Sequence, residues 1–455
     1  MNKKAILLLT AALIVLLVII GLIENEESSR LESEGVLFTV PVDGLLRLEL
    51  LRDGEKIVFV RDEKDWRIDF PLKARIDRGA IDNIIDSYSK LRFDGLVEET
   101  ALDLARYGLD EPRLELRIYT AADSVPERTL LIGQQNPLDN SYYARLENES
   151  KVVLLPSFRV NYLDRELFDF REKKVLDLSS LEVDSFNLEW RGKSFSFFRE
   201  EGRWWIKKPL SALARKTKID EILGKFAGLQ AKEFIQEKAE KAFNLDKPIL
   251  KAVFQLRDGG QSELIISRRE DDYFAKAPAL AEICRVGDDL PAVLSENLKD
   301  YREHKLLDFY PFAVKKITIT GTTWQTALYK DEEEWKFEDQ AIGLLPDQDK
   351  VRDLLYALQD LEADSFVDNP SLAADSFNLR LSLLVEDKAA GKEAGEMEVL
   401  LGPGGTSGVL ARNPALGYDF LVNPEILAKL PKETADLLPE AQQEEEADPE
   451  ENDRI

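Results

Sequence analysis

Trp204-Trp205-Ile206-Lys207-Lys208-Pro209, with the apolar ladder Ile219, Ile222, Leu223, Phe226 and Leu229 behind it, decides the fold because the chain repeats this pattern. Before it stand Trp66, Ile68 and Pro71 with the ladder Ile81, Ile84, Ile85, Tyr88 and Leu91. After it stand Trp335 and Phe337, with Gln340 in place of the proline, and the ladder Val351, Leu354, Leu355, Leu358 and Leu361. Steps of three and four residues put each ladder on one face of an amphipathic helix. Side chains alternate along a strand, so tryptophan and isoleucine share a face. Proline then ends the strand, having no N–H to give a ladder. The reading is three copies of one unit.

Working outward, Leu46, Leu48 and Leu50 alternate with polar residues, Asp53-Gly54 marks a hairpin turn, and Ile57 to Val60 returns as a second strand. Asp77 and Asp347 stand where helix N-caps belong. Tyr107-Gly108-Leu109-Asp110-Glu111-Pro112 is matched by Phe243-Asn244-Leu245-Asp246-Lys247-Pro248 and, in part, by Phe377-Asn378-Leu379. Gly or Asn between an aromatic residue and leucine suits a left-handed helix stop. Short alternating segments follow, such as Leu114 to Ile118 and Leu130 to Ile132, and recur as Ala252 to Leu256 and Leu264 to Ile266, which predicts an antiparallel meander. Arg171-Glu172-Lys173-Lys174-Val175-Leu176-Asp177 returns as Arg302-Glu303-His304-Lys305-Leu306-Leu307-Asp308, a junction between consecutive units.

At 455 residues the chain is roughly three domains long. Its 44% hydrophobic and 9% aromatic content is that of a globular body rather than a disordered one. A formal charge of -26 repels phosphate backbones, which argues against nucleic acid and against a polybasic membrane-docking face. The uncharged run Ala5 to Ile23, preceded by Lys3 and Lys4 and followed by Glu24, Glu26 and Glu27, predicts one transmembrane helix. At about 1.5 Å per residue it is long enough to cross a ~30 Å hydrocarbon layer, and the positive-inside rule places the remainder outside the cytoplasm. A cleaved signal peptide would have a shorter apolar region ending in a small-residue site.

The sequence-based fold class is therefore α+β: a transmembrane anchor at 1–23, an acidic stalk at 24–44, and three repeats at 45–178, 179–311 and 312–438, each an antiparallel sheet with helices packed on one face. The like-charge tail at 439–455 should be disordered.

Taken together, the apolar N-terminal run, the Trp-x-Ile-x-x-Pro strand before a helix, the aromatic-Gly/Asn-Leu-Asp-x-Pro stop and the Arg-Glu-x-Lys-x-Leu-Asp junction resemble a bacterial family, the domain of unknown function numbered 4340. The resemblance is best from Leu46 to Phe309, and the third unit departs from it at Gln340 and after Leu379. It implies a membrane-anchored protein encoded beside ABC-transporter components, and it brings no catalytic residues with it.

Candidate chemistry is sparse. Gly402 to Gly408 has the glycines of a phosphate cradle but no P-loop lysine and no following helix, and it falls between two strands, so it reads as a hairpin turn. Cys284 and His304 are the sole possible thiol–imidazole pair. Cys284 sits at an apolar strand position equivalent to Val153, and His304 at a junction position equivalent to Lys173, which suits packing and surface roles. One cysteine and one histidine assemble no Cys-based zinc site, and no metal or cofactor is expected. The best handle is Trp205, which must face away from the core side of Trp204, with Lys207 and Lys208 beside it as a candidate partner-binding surface. The expected function is a non-enzymatic, extracytoplasmic accessory or binding subunit of an ABC-type transport system at the bacterial inner membrane. The alternatives are an envelope polysaccharide hydrolase using paired carboxylates or a structural envelope spacer.

Overall fold

A computed structural model describes residues 35–440, apart from 64, 121–124, 236–239, 279, 281, 368–376, 388–391 and 417. The chain divides into two compact units, Met1–Lys173 and Lys174–Ile455. The first contains a nine-stranded sheet and a small two-stranded one, and the second contains sheets of nine and eight strands. The pairings are antiparallel throughout; in the second repeat the order runs Ala212–Leu213, Arg203–Lys208, Lys193–Glu200, Val183–Trp190, Leu250–Leu256, Gln261–Arg269, Asp272–Lys276, Ile283–Val286 and Ala231–Ile235.

This architecture corrects the α+β expectation. Strand makes up 44% of the structure and helix 21%, so the protein is mainly β. Each large sheet carries one long helix, α1 (Arg78–Tyr88), α2 (Lys216–Ala227) or α3 (Gln348–Gln359), with a shorter one beside it at Ser157–Leu163, Asp289–Val293 or Ile426–Lys429. Nor is the transmembrane helix supported, because no helix among the described residues is long and apolar enough to cross a membrane. Residues 5–23, on which that expectation fell, lie outside the described residues, as do 441–455 of the acidic tail. The acidic stalk is also corrected in part. Val36–Thr39 is a strand paired with Lys90–Arg92, and its Leu37 and Phe38 are buried in the first core with the nearby Val40.

The three helices form where the ladders fall: the first four rungs of each are buried on its helix, and the last, Leu91, Leu229 or Leu361, lies just past the helix end. Asp77 caps α1 by accepting from Ala80 N at 2.7 Å, and Asp347 caps α3 by accepting from Asp349 N and Lys350 N. Arg215 stands at the N-cap of α2 and supplies no side-chain cap. Hairpin turns fall at Asp53-Gly54 and Arg191-Gly192, where both residues have positive φ, the geometry that matches strand twist. Gly405 pairs with Gly408 across Thr406-Ser407, so the glycine run is a hairpin turn.

Gly108 and Asn244 adopt the left-handed conformation that the stop motif requires. They end short 3-10 turns rather than the ladder helices, and each lays its aromatic and leucine on the sheet face opposite the helix. Tyr107 and Leu109 form a small cluster with Leu131 and Val152, and Phe243 and Leu245 form one with Phe274 and Ile283. The turn presses so closely on the strand Arg128–Gln135 that a Cβ at Gly133 would lie 2.1 Å from the Tyr107 carbonyl oxygen. The cores of the second and third repeats are continuous within the second unit, instead of one core per repeat.

The junction motif is a strip of strand-like backbone. In the first unit Asp77 N donates to Phe170 O at 2.8 Å and Glu172 N to Arg75 O at 3.0 Å. In the second unit Arg215 N donates to Tyr301 O at 2.8 Å and Glu303 N to Leu213 O at 2.9 Å. The same strip then turns to the third repeat, where Leu306 N donates to Leu361 O at 3.2 Å and Ala363 N to His304 O at 2.8 Å. Arg302 lies between Tyr301 and Glu303, only 2% exposed, its guanidinium 4.0 Å from the centre of the Phe366 ring and 4.4 Å from that of Tyr418. Such stacking offsets part of the cost of removing the cation from water. The third repeat closes in the same manner, with Asp347 N donating to Leu437 O at 2.8 Å.

Burial pushes the Tyr301 phenol up to about 12, with the Asp300 carboxylate adding to it, and Tyr418 up to about 12 against the opposing pull of Arg302. The unfolded value is about 10, so each tyrosine's contribution to stability is complete below pH 10 and is lost as pH rises toward 12. Unfolding free energy should fall across that window by on the order of 2 kcal/mol per tyrosine. Denaturant titrations at pH 9 and pH 11.5 should show a smaller fall in Tyr301→Phe and Tyr418→Phe than in the unsubstituted chain.

Candidate functional site

Strand Arg203–Lys208 carries both tryptophans. Trp204 faces the core, buried edge-on against Phe186 at 5.7 Å with the Arg199 guanidinium 5.0 Å over its ring. Trp205 faces the other side of the sheet and is half-buried. It pairs across the strands with Phe198 on one side and Leu213 on the other, so an apolar row crosses the edge of the sheet. Lys207 and Lys208 are exposed at the end of the strand, and neither has a carboxylate partner among the described residues.

The corresponding rows in the other repeats differ in chemistry. In the first, Arg67 lies opposite Val60, which lies opposite Arg47, which lies opposite Tyr119. Those cations are neutralised locally: Arg67 contacts Asp62 at 3.0 Å and Asp69 at 3.3 Å, and Arg47 lies near Glu49 with its guanidinium 3.7 Å over Tyr119. In the third, Lys336 lies opposite Tyr329 and pairs with Asp331 at 2.8 Å, while Lys316 pairs with Glu338 at 2.7 Å. The second repeat thus has an aromatic residue where the others have a paired cation, with two unpaired lysines next to it. A ring that is half out of water offers a large contact area, and free ammonium groups offer charge to a carboxylate.

The remaining sequence candidates have packing roles. Cys284 is fully buried in the second unit's core on the strand Ile283–Val286. The His304 ring hydrogen-bonds the Lys299 carbonyl at 2.9 Å and packs edge-on to Phe366 at 5.1 Å. No group of three or more His, Cys, Asp or Glu that could hold a metal ion occurs among the described residues. Sequence reading passed over Tyr310 and Phe312, stacked at 5.5 Å and 18° and exposed by 61% and 73%. The available signal was Tyr310-Pro311-Phe312 directly after a junction motif, at the place where the first handover has the exposed Leu181.

The two neighbours Trp204 and Trp205 should separate by measurement. Trp204→Ala is expected to cost about 3–5 kcal/mol of unfolding free energy, as for a core aromatic, whereas Trp205→Ala should cost about 1 kcal/mol. Equal losses in denaturant unfolding would make Trp205 a structural cover and remove it as a surface for binding.

No curated protein matches the chain. A family model described as Domain of unknown function (DUF4340) matches residues 66–248 and 250–379, from the first Trp-x-Ile strand to the third aromatic-Asn-Leu turn. Those stretches are well over half of the sequence and contain the repeated elements described above, and the chain belongs to the DUF4340 family.

Proposed function

We propose that the chain is an extracytoplasmic accessory or binding subunit that works with an ABC-type transport system at the bacterial inner membrane, with the outer sheet face of the second repeat as its partner surface. One observation carries this reading. The helix ladders and the core-facing residues of the tryptophan strand stay apolar in all three repeats, whereas the outer row changes from paired cation to free aromatic and back, as Arg67, Trp205 and Lys336 do. Divergence on a kept scaffold is how repeat proteins build recognition surfaces, and such surfaces centre on aromatic anchors. The resemblance to a family whose members are encoded beside transporter components supports the choice of partner.

The test is crosslinking in intact membranes, followed by mild-detergent purification and mass spectrometry. The full chain should recover transporter subunits. Trp205→Ala combined with Lys207→Ala and Lys208→Ala should lower recovery about tenfold, the effect of losing one aromatic anchor and its flanking charges. Recovery of the protein alone, while a control membrane complex survives the same detergent, would contradict the proposal.

A further inference from the structure

The closing turns of the three repeats occupy equivalent places. Leu167–Phe170 and Thr434–Leu437 each begin with a reciprocal capping box, Glu166 with Asp169 and Glu433 with Asp436, and the middle repeat has Leu298–Asp300 after Asn297. The shared 2.8 Å bond from the helix N-cap to Phe170, Tyr301 or Leu437 fixes the alignment. Leu167 and Leu298 therefore correspond, and both pack against their cores; Thr434 stands in their place in the third repeat. Facing them on the sheet, register aligns Ile57, Phe195 and Thr326, opposite Leu50, Leu188 and Ile319 respectively. Two inward apolar side chains in the earlier repeats have both become threonines.

An open groove of about 610 Å³ lies where those side chains would be. Thr326 and Thr434 line it together with Gln325, Glu338 and Asp339 and with the apolar Ala327 and Ile342. We infer that this groove binds a neutral, polyhydroxylated small ligand, a saccharide of one or two rings. Loss of bulk alone would leave an apolar hollow, but these replacements add hydroxyls beside the Gln325 amide and the Asp339 carboxylate, with Glu338 held by Lys316, an arrangement suited to ligand O–H groups. The Asp339 carboxylate disfavours an anionic ligand, and the apolar Ala327 and Ile342 in the lining suit the C–H face of a ring. The inference names a ligand class for a chain read as a binding subunit and rests on that reading. It is tested without a transporter, so the two can fail separately.

The experiment is isothermal titration of the purified full chain with maltose, cellobiose and N,N′-diacetylchitobiose. One of them should saturate the protein, Gln325→Ala should weaken that binding severalfold, and Thr326→Phe with Thr434→Leu should weaken it at least tenfold. The filled variant carries residues that the second repeat accommodates, and its thermal unfolding midpoint, equal to or above that of the original chain, reports that it folds. Should it not fold, Gln325→Ala alone decides. Saccharide binding that survives filling or the glutamine change overturns the inference. So does saturable binding of an acetylated Leu-Lys amide probe in place of every saccharide, or no saccharide binding below about 50 mM.

Discussion

A β-sheet that ends in a free edge must satisfy a row of backbone N–H and C=O groups, and the handover strip is how this chain meets that requirement. Glu303 N and the Tyr301 carbonyl complete the edge at Leu213 and Arg215, and a few residues later the same strip pairs with Leu361 and Ala363 of the next repeat. The strip both closes one repeat and joins the next. Arg302 goes into the seam between Phe366 and Tyr418, which ties the main-chain pairing to side-chain packing on the far side. The last repeat follows a different solution. Pro439 stands where Glu172 and Glu303 donate, and it has no N–H to offer. The edge at Trp335 is satisfied by Gln348, whose side-chain amide accepts from Trp335 N at 2.8 Å and donates to Trp335 O at 3.0 Å.

With edges and cores fixed by these constraints, variation falls where it costs least. The outer rows differ in charge and aromaticity among the repeats, and the third repeat has lost apolar filler at Thr326 and Thr434 without losing the 2.8 Å bond that seats its closing turn. Both proposed surfaces, the Trp205 row and the threonine-lined groove, are departures from the repeat consensus rather than parts of it. Recognition built this way depends on a rigid support, since a surface already ordered before binding gives up less conformational freedom.

Much of this was legible in the sequence. The ladders identified α1, α2 and α3 because helical periodicity is a side-chain property, and Asp77 and Asp347 announced their caps. The opposite orientations of Trp204 and Trp205 followed from strand alternation. What escaped was carried by the backbone. The third handover, Thr434-Ala435-Asp436-Leu437-Leu438, keeps little of the Arg-Glu-x-Lys motif, yet makes the same bond to the helix N-cap. The α+β class failed because three conspicuous ladders outweighed many short strands whose individual signals are weak. Leu37, Phe38 and Val40 read as stalk in the sequence because their partners, at Ser89 to Arg92, are remote along the chain. The merging of the second and third cores likewise depends on contacts that no local pattern encodes.

One strip makes the second and third repeats a single cooperative body, and native-state hydrogen exchange of the full chain reads that cooperativity amide by amide. The amides of Arg215, Glu303, Leu306 and Ala363 should exchange with the slowest class in the second unit, at rates set by its global unfolding, and should gain exchange together as denaturant is added. Fast exchange at those four amides, or separate transitions for residues on either side of the strip, would contradict it.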